Sequence, residues 1–125
     1  MNTPIHSNDA PAAIGPYSQA VQTGNMLFVS GQIPIDPATG EFAGNDITTQ
    51  TNQSLTNIKN ILAAAGYTLN DVVKTTVLLA DIADFAAMNA VYGEFFKENC
   101  PARACFAAKA LPKGALVEIE AIAAK

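Results

Sequence analysis

Apolar residues recur along this chain with two different periods, and the switches between them outline a fold. Met26-Leu27-Phe28-Val29 follows the turn signal Gly24-Asn25. With Tyr17 to Val21 as partner strand, the N-terminal third reads as a hairpin whose second strand ends at Ser30-Gly31. Pro34 to Gly44, with Asp36-Pro37 and Thr39-Gly40, reads as a loop. From Asp46 the period lengthens: Ile47, Thr51, Leu55, Ile58, Leu62 and Ala65 recur at helical spacing, and Gly66 stands where a C-terminal cap belongs. Val72 to Leu79 is β-branched and aliphatic and predicts a buried strand. A second helix, capped by Asp81 or Asp84, carries the stripe Phe85, Met88, Tyr92, Phe95 and Phe96 and stops at Asn99 to Pro101. Ala102 to Ala108 and Val117 to Ala123 are the last two strands, joined through Leu111-Pro112-Lys113-Gly114.

This order predicts an α+β fold: one domain over residues 1–125, with two helices packed on one face of a single sheet. The strand at Val72 to Leu79 and the last strands look apolar on both faces, so the second sheet face also needs cover, most economically from copies of the chain in a closed homo-oligomer. Composition sharpens this expectation, since 50% of residues are hydrophobic and only 14% charged, against about a quarter in a typical domain. Eleven acids against seven bases, net charge −4 and no lysine cluster leave no electrostatic footprint for nucleic acid or an anionic membrane. The N-terminal residues lack a basic and apolar leader pattern and no transmembrane segment is visible, so neither a secretory signal nor a transit peptide is expected. Cys100 and Cys105 with the lone His6 cannot complete a tetrahedral zinc site, and a reduced, cytoplasmic protein is the simple reading.

The chemistry concentrates on the one arginine, Arg103, set in the apolar run Pro101-Ala102-Arg103-Ala104-Cys105-Phe106. A guanidinium is a rigid planar fork of donors that keeps its proton, and its natural complement is a carboxylate bound by two parallel hydrogen bonds. The competing reading is a structural ion pair with Glu118 or Glu120. Strand alternation puts Arg103 and Cys105 on one face, and Glu118 and Glu120 on one face of the next strand. If those strands are neighbours, a glutamate and a water can lie beside a bound carboxylate. Cys105 reads as a nucleophile or, with apolar neighbours and no histidine base, as a buried structural thiol. Tyr17, after Gly15-Pro16, either packs or closes over a ligand. Ser30-Gly31 is either an ordinary strand end or a bare backbone approached by a ligand, and Asn89 is by default solvated. No G-x-S-x-G, H-E-x-x-H or phosphate-cradling glycine motif is present.

Taken in order, these residues fall in segments that resemble the RidA (YjgF) family of reactive-intermediate deaminases along the whole chain. The matching segments are Ala10 to Ala20, Val29-Ser30-Gly31-Gln32-Ile33-Pro34, Val73 to Val77, Met88 to Tyr92, and the signature from Pro101 to Glu120 with its Pro101-Ala102-Arg103-Ala104-Cys105, Leu111-Pro112-Lys113-Gly114 and Val117-Glu118-Ile119-Glu120. The approach to that signature, Lys97 to Cys100, is short. The resemblance implies a chorismate-mutase-like homotrimer, its outer sheet faces forming a central barrel, with three clefts between subunits. It implies cofactor-free hydrolysis of 2-imino acids, such as 2-iminobutanoate and 2-iminopropanoate, to 2-keto acids and ammonia. Arg103 would clamp the substrate carboxylate, with Ser30 and the Gly31 backbone at the same end of the cleft. Tyr17 would cover the ligand, Glu118 would position water, the Cys105 backbone would hold the imine nitrogen, and Asn89 would add a polar wall. Two alternatives stay open: a regulatory protein that binds 2-keto acids without turnover, and an endoribonuclease or translation inhibitor, against which the acidic balance speaks.

Overall fold

The computed structural model describes residues 2–125. Six strands form one sheet in the order β1-β2-β3-β8-β6-β7. They are β1 (Asn2–Ile5), β2 (Ala20–Thr23), β3 (Met26–Gln32), β6 (Val72–Leu79), β7 (Ala102–Ala107) and β8 (Val117–Ala124). A separate two-stranded hairpin joins β4 (Ile35–Asp36) to β5 (Glu41–Phe42). The helices are α1 (Ile47–Ala64) and α2 (Phe85–Phe95), and α2 makes the crossover that the parallel pair β6 and β7 requires.

The long helix forms where its stripe demanded. Asp46 accepts a hydrogen bond from Thr49 N at 2.9 Å as N-cap. Gly66, at φ +80, closes the other end with Gly66 N bonded to Ala63 O and Tyr67 N to Leu62 O, a Schellman cap. Leu55, Ile58, Ile61 and Leu62 are fully buried, each contributing about 1.5–3 kcal/mol relative to exposure. They pack on the face made by Leu27, Val29, Val77, Leu79, Val117, Ile119, Ala121 and Ala123. The expected α+β architecture with both helices on one side of the main sheet is therefore present.

Several local readings are corrected. Tyr17 lies outside β2, because Gly15 at φ +130 and the bond from Tyr17 N to Gly15 O turn the chain before Ala20. The second hairpin strand runs past Ser30-Gly31 to Gln32, with a register shift against β8 between Val29 and Gln32. The loop at 34–44 holds the β4–β5 hairpin, and Asn2–Ile5 adds a strand at the sheet edge. Asp81 caps a 3-10 turn, Ile82–Asp84, ahead of α2, while Asp84 makes no side-chain cap. In the α2 stripe Met88, Tyr92 and Phe96 are buried, but Phe85 stays 37% exposed.

The largest correction concerns the last two strands. They are not neighbours, for β6 runs between them, pairing Thr75 with Arg103 on one side and Leu78 with Glu118 on the other. The sheet face away from the helices is mixed in character. It presents Phe28 against Ile122 and Leu78 against Phe106, but β8 also turns Glu118 and Glu120 outward.

Candidate functional site

Arg103 projects from β7, at the sheet edge, toward α2. Its Nη1 donates to Asn89 Oδ1 at 2.7 Å, and its Cζ lies 4.7 Å from the Tyr92 ring centroid and 5.5 Å from that of Phe85. Phe85, Asn89 and Tyr92 follow at i, i+4 and i+7 of one helix, so α2 builds the arginine's surroundings from one face. Asn89 is thus engaged rather than merely solvated. Cys105, on the same face of β7, packs partly against the core. Burial pushes its thiol up, more than the Arg103 charge draws it down, which opposes a thiolate nucleophile. Cys100 Sγ donates to Phe96 O at 3.3 Å. Because Ala108 N donates to Leu79 O across the parallel ladder, alternation turns the N–H of Arg103 and Cys105 toward the free edge of the sheet.

The other named residues gather where β3 meets β8. Ser30 Oγ donates to Ser18 O at 2.6 Å and Ser30 N to Gln19 O at 2.9 Å, which fixes the strand at its register shift. Gly31 has a steric reason to be glycine: a Cβ there would collide with Glu118 Oε2 and stand 3.0 Å from its Cδ. The Glu118 carboxyl therefore rests against bare backbone. Burial, and then the nearby Glu120 charge, raise it above the ordinary carboxylate range. Beside it lies a cavity of about 410 Å³ lined by residues including Tyr17, Gly31, Ile33, Pro112, Lys113 and Glu118. Tyr17 stands at this cavity, 53% exposed.

Residues that sequence reasoning passed over hold these walls. Buried Gln19 accepts from Ser7 N and donates to Pro11 O, anchoring the segment that leads to Tyr17. On α1, Asn57 donates to Ile35 O, while Gln50 donates to Gly44 O and accepts from Leu116 N. Lys113 sits on the cavity wall in a left-handed conformation, φ 57. For Gln50 and Asn57 the available signal was an amide within an apolar helix stripe, a polar group that burial obliges to find partners.

Within one chain the two groups do not meet. Arg103, Cys105 and Asn89 lie on the helix side at the β7 edge. Glu118 points to the opposite face of β8, beyond β6, with Gly31 against it and Ser30 and Tyr17 nearby. Within one chain Arg103 therefore makes no ion pair with Glu118 or Glu120. No group of three or more His, Cys, Asp or Glu side chains among the described residues is placed to hold a metal, and no helix is long and apolar enough to cross a membrane.

Comparison with known proteins places the sequence and the fold. The family profile described as Endoribonuclease L-PSP matches residues 7–125. The RutC family protein y4sK of Sinorhizobium fredii is 59% identical over 122 residues, covering 98% of this chain and 97% of that protein. The 2-iminobutanoate/2-iminopropanoate deaminase of Capra hircus is 53% identical over 119 residues, covering 95% and 87%. Among solved structures, Escherichia coli TdcF with bound serine superimposes with a TM-score of 0.95 at 45% identity, covering 98% of both chains. A full-length sheet-and-helix match at these identities makes the chain a member of the YjgF/RidA family.

Proposed function

We propose that this protein hydrolyses 2-imino acids, 2-iminobutanoate and 2-iminopropanoate among them, to 2-keto acids and ammonia, in clefts between the subunits of a homotrimer. The observation that carries this reading is the split arrangement: an ordered guanidinium at the β7 edge, and a glutamate laid against bare backbone on the far side of β6. A neighbouring copy that brings its β3–β8 region against that edge completes a cleft with Arg103, Asn89 and Cys105 from one subunit and Tyr17, Ser30, Gly31 and Glu118 from the next. Exposed Phe28 and Phe106 on the outward sheet face favour such packing. Identity of 53% to the goat deaminase supports the reaction class.

In this cleft Arg103 binds the substrate carboxylate and the outward N–H of Cys105 holds the imine nitrogen. Glu118 takes a proton from the attacking water as the new C–O bond forms and delivers it to the nitrogen, which becomes an amine. As this carbinolamine collapses, Glu118 takes the hydroxyl proton while the C=O bond forms and the C–N bond breaks, and gives that proton to the nitrogen, which leaves as ammonia. Burial and the Glu120 charge raise the Glu118 carboxyl, which makes its carboxylate a better proton acceptor than an exposed one. The overall balance is imine plus water to ketone plus ammonia, with no cofactor in the scheme. An imine already reacts with water, so orientation and charge placement are what the protein adds.

The test generates the imine in situ from an amino acid and follows the fraction that semicarbazide traps. Wild-type protein lowers that fraction and speeds ammonia release, whereas Arg103→Ala does neither while remaining a trimer by light scattering. Wild-type turnover in Arg103→Ala removes the clamp. Undiminished turnover in Glu118→Gln removes water activation and favours a keto-acid-binding regulator. RNA cleavage that persists in both variants after rigorous purification favours the ribonuclease that the family's description names.

A further inference from the structure

An arginine side chain loses up to about 2 kcal/mol of rotamer entropy when it is fixed, so a receptor ordered before its ligand arrives binds more tightly than one ordered by it. Arg103 is held on three sides: Asn89 takes an Nη1 hydrogen in the guanidinium plane, and the Tyr92 and Phe85 rings approach Cζ at 4.7 and 5.5 Å. Tyr92 is the fixed member of this set. It is 6% exposed, its ring leans on Phe96 at 4.8 Å, and its hydroxyl shares a 2.7 Å hydrogen bond with Thr75 Oγ1. Thr75 is itself buried and stands directly beside Arg103 in the β6–β7 register. One hydroxyl on β6 thereby sets the ring that sets the guanidinium on β7.

The chemistry around the arginine is uniformly neutral. Asparagine, not aspartate, is its hydrogen-bond partner, and burial raises the Tyr92 phenol above its ordinary range, so it keeps its proton at neutral pH. The guanidinium is oriented without being neutralised, which leaves its charge for an anion.

We infer that Tyr92, anchored by Thr75, is the positioning residue of the carboxylate clamp: its ring fixes the guanidinium plane while Asn89 occupies Nη1, directing the Nη2 and Nε edge to the substrate carboxylate. This rests on the reading of Arg103 as that clamp, and the test separates the two by measuring binding apart from turnover.

The probe is 2-oxobutanoate, a product that cannot react further, titrated calorimetrically into the intact oligomer, with KM and kcat for the imine measured in parallel. Tyr92→Leu is expected to weaken 2-oxobutanoate binding and raise KM about tenfold, with kcat changed far less. Tyr92→Phe keeps the ring but loses its tie to Thr75, and should weaken binding by about threefold, between wild type and Tyr92→Leu. Because Arg103 is the one arginine of the chain, its Nε–H gives an unambiguous NMR signal. That signal should be ring-current shifted and slow to exchange in wild type and Tyr92→Phe, and should lose both properties in Tyr92→Leu. Unchanged affinity in a folded Tyr92→Leu overturns the inference. So does a random-coil, fast-exchanging Arg103 signal in the wild type, a result that needs no variant to fold. Wild-type protein that binds 2-oxobutanoate but leaves imines untouched defeats the deaminase reading, and the binding and NMR results still decide the role of Tyr92. Wild-type protein that does not bind 2-oxobutanoate removes the clamp and this inference with it.

Discussion

The Arg103 and Glu118 regions solve opposite problems with opposite materials. Around Arg103 the chain places two aromatic rings, an amide and a buried hydroxyl, all neutral. Around Glu118 it places a bare glycine backbone, a partly enclosed cavity and a second acid, Glu120. A guanidinium never loses its charge, so its neighbours can only orient it. A carboxyl can lose or gain a proton, so its neighbours set when it does. The contrast teaches that one region offers a fixed charge and the other a titratable one, and the proposed hydrolysis draws on both.

The sharpest way to break this comparison is to damage one region per chain and mix the damaged chains. Arg103→Ala and Glu118→Gln should each lose activity alone, the former by about one to two decades from the lost charge-assisted contact. In the proposed trimer, equal co-expression leaves about one cleft in four that pairs an intact Arg103 with an intact Glu118, since each side is intact half the time. Activity near a quarter of wild type per cleft is the expected result in the imine assay. No recovery in verified mixed trimers would refute a cleft shared by Arg103 of one subunit and Glu118 of the next.

A smaller effect is expected from filling the space against Glu118. Gly31→Ala introduces a Cβ that collides with the carboxylate oxygen, so Glu118 must swing away from its position. We expect kcat to fall about tenfold or more, as for other misplaced catalytic groups. KM should rise less than twofold, because the carboxylate receptor lies in the other region. A KM effect that dominates would mean that the Gly31 backbone itself carries substrate binding.

The legibility of the two regions in the sequence differs for physical reasons. Alternation paired Arg103 with Cys105 and Glu118 with Glu120 correctly, since period two is a local property of a strand. It could not tell that the two pairs face opposite sides, because that depends on β6 entering between two strands that are consecutive in the chain. The long helix and the strand at Val72 to Leu79 were visible because large apolar faces must be buried. By contrast, β1 carries Pro4 and is largely exposed, and β4 and β5 have two residues each, too short for any period to register. Tyr92 looked like ordinary core because its apolar stripe is genuine; only the three-dimensional placement of Thr75 and Arg103 gives its hydroxyl and ring further partners.

The smallest expected effect concerns stability and comes from the same carboxyl that favours catalysis. Glu118 in the folded chain sits above its ordinary value of 4.5, mainly through burial and then through Glu120. Between the unfolded and folded values the native state holds more protons than the unfolded state, so stability contributed at acid pH is lost as pH rises through the folded value. Glu118→Gln removes that penalty and should be the more stable protein at pH 8, with the advantage fading below about pH 4. Because the carboxyl remains partly in contact with solvent, the gain should stay under about 1 kcal/mol, a rise in Tm of at most about 4 °C. Thermal scans at matched protomer concentration across this range test the sign. A Glu118→Gln variant less stable than wild type at pH 8 would mean that the charged carboxylate is paired in the folded protein, with Lys113 on the same cavity wall the first partner to examine.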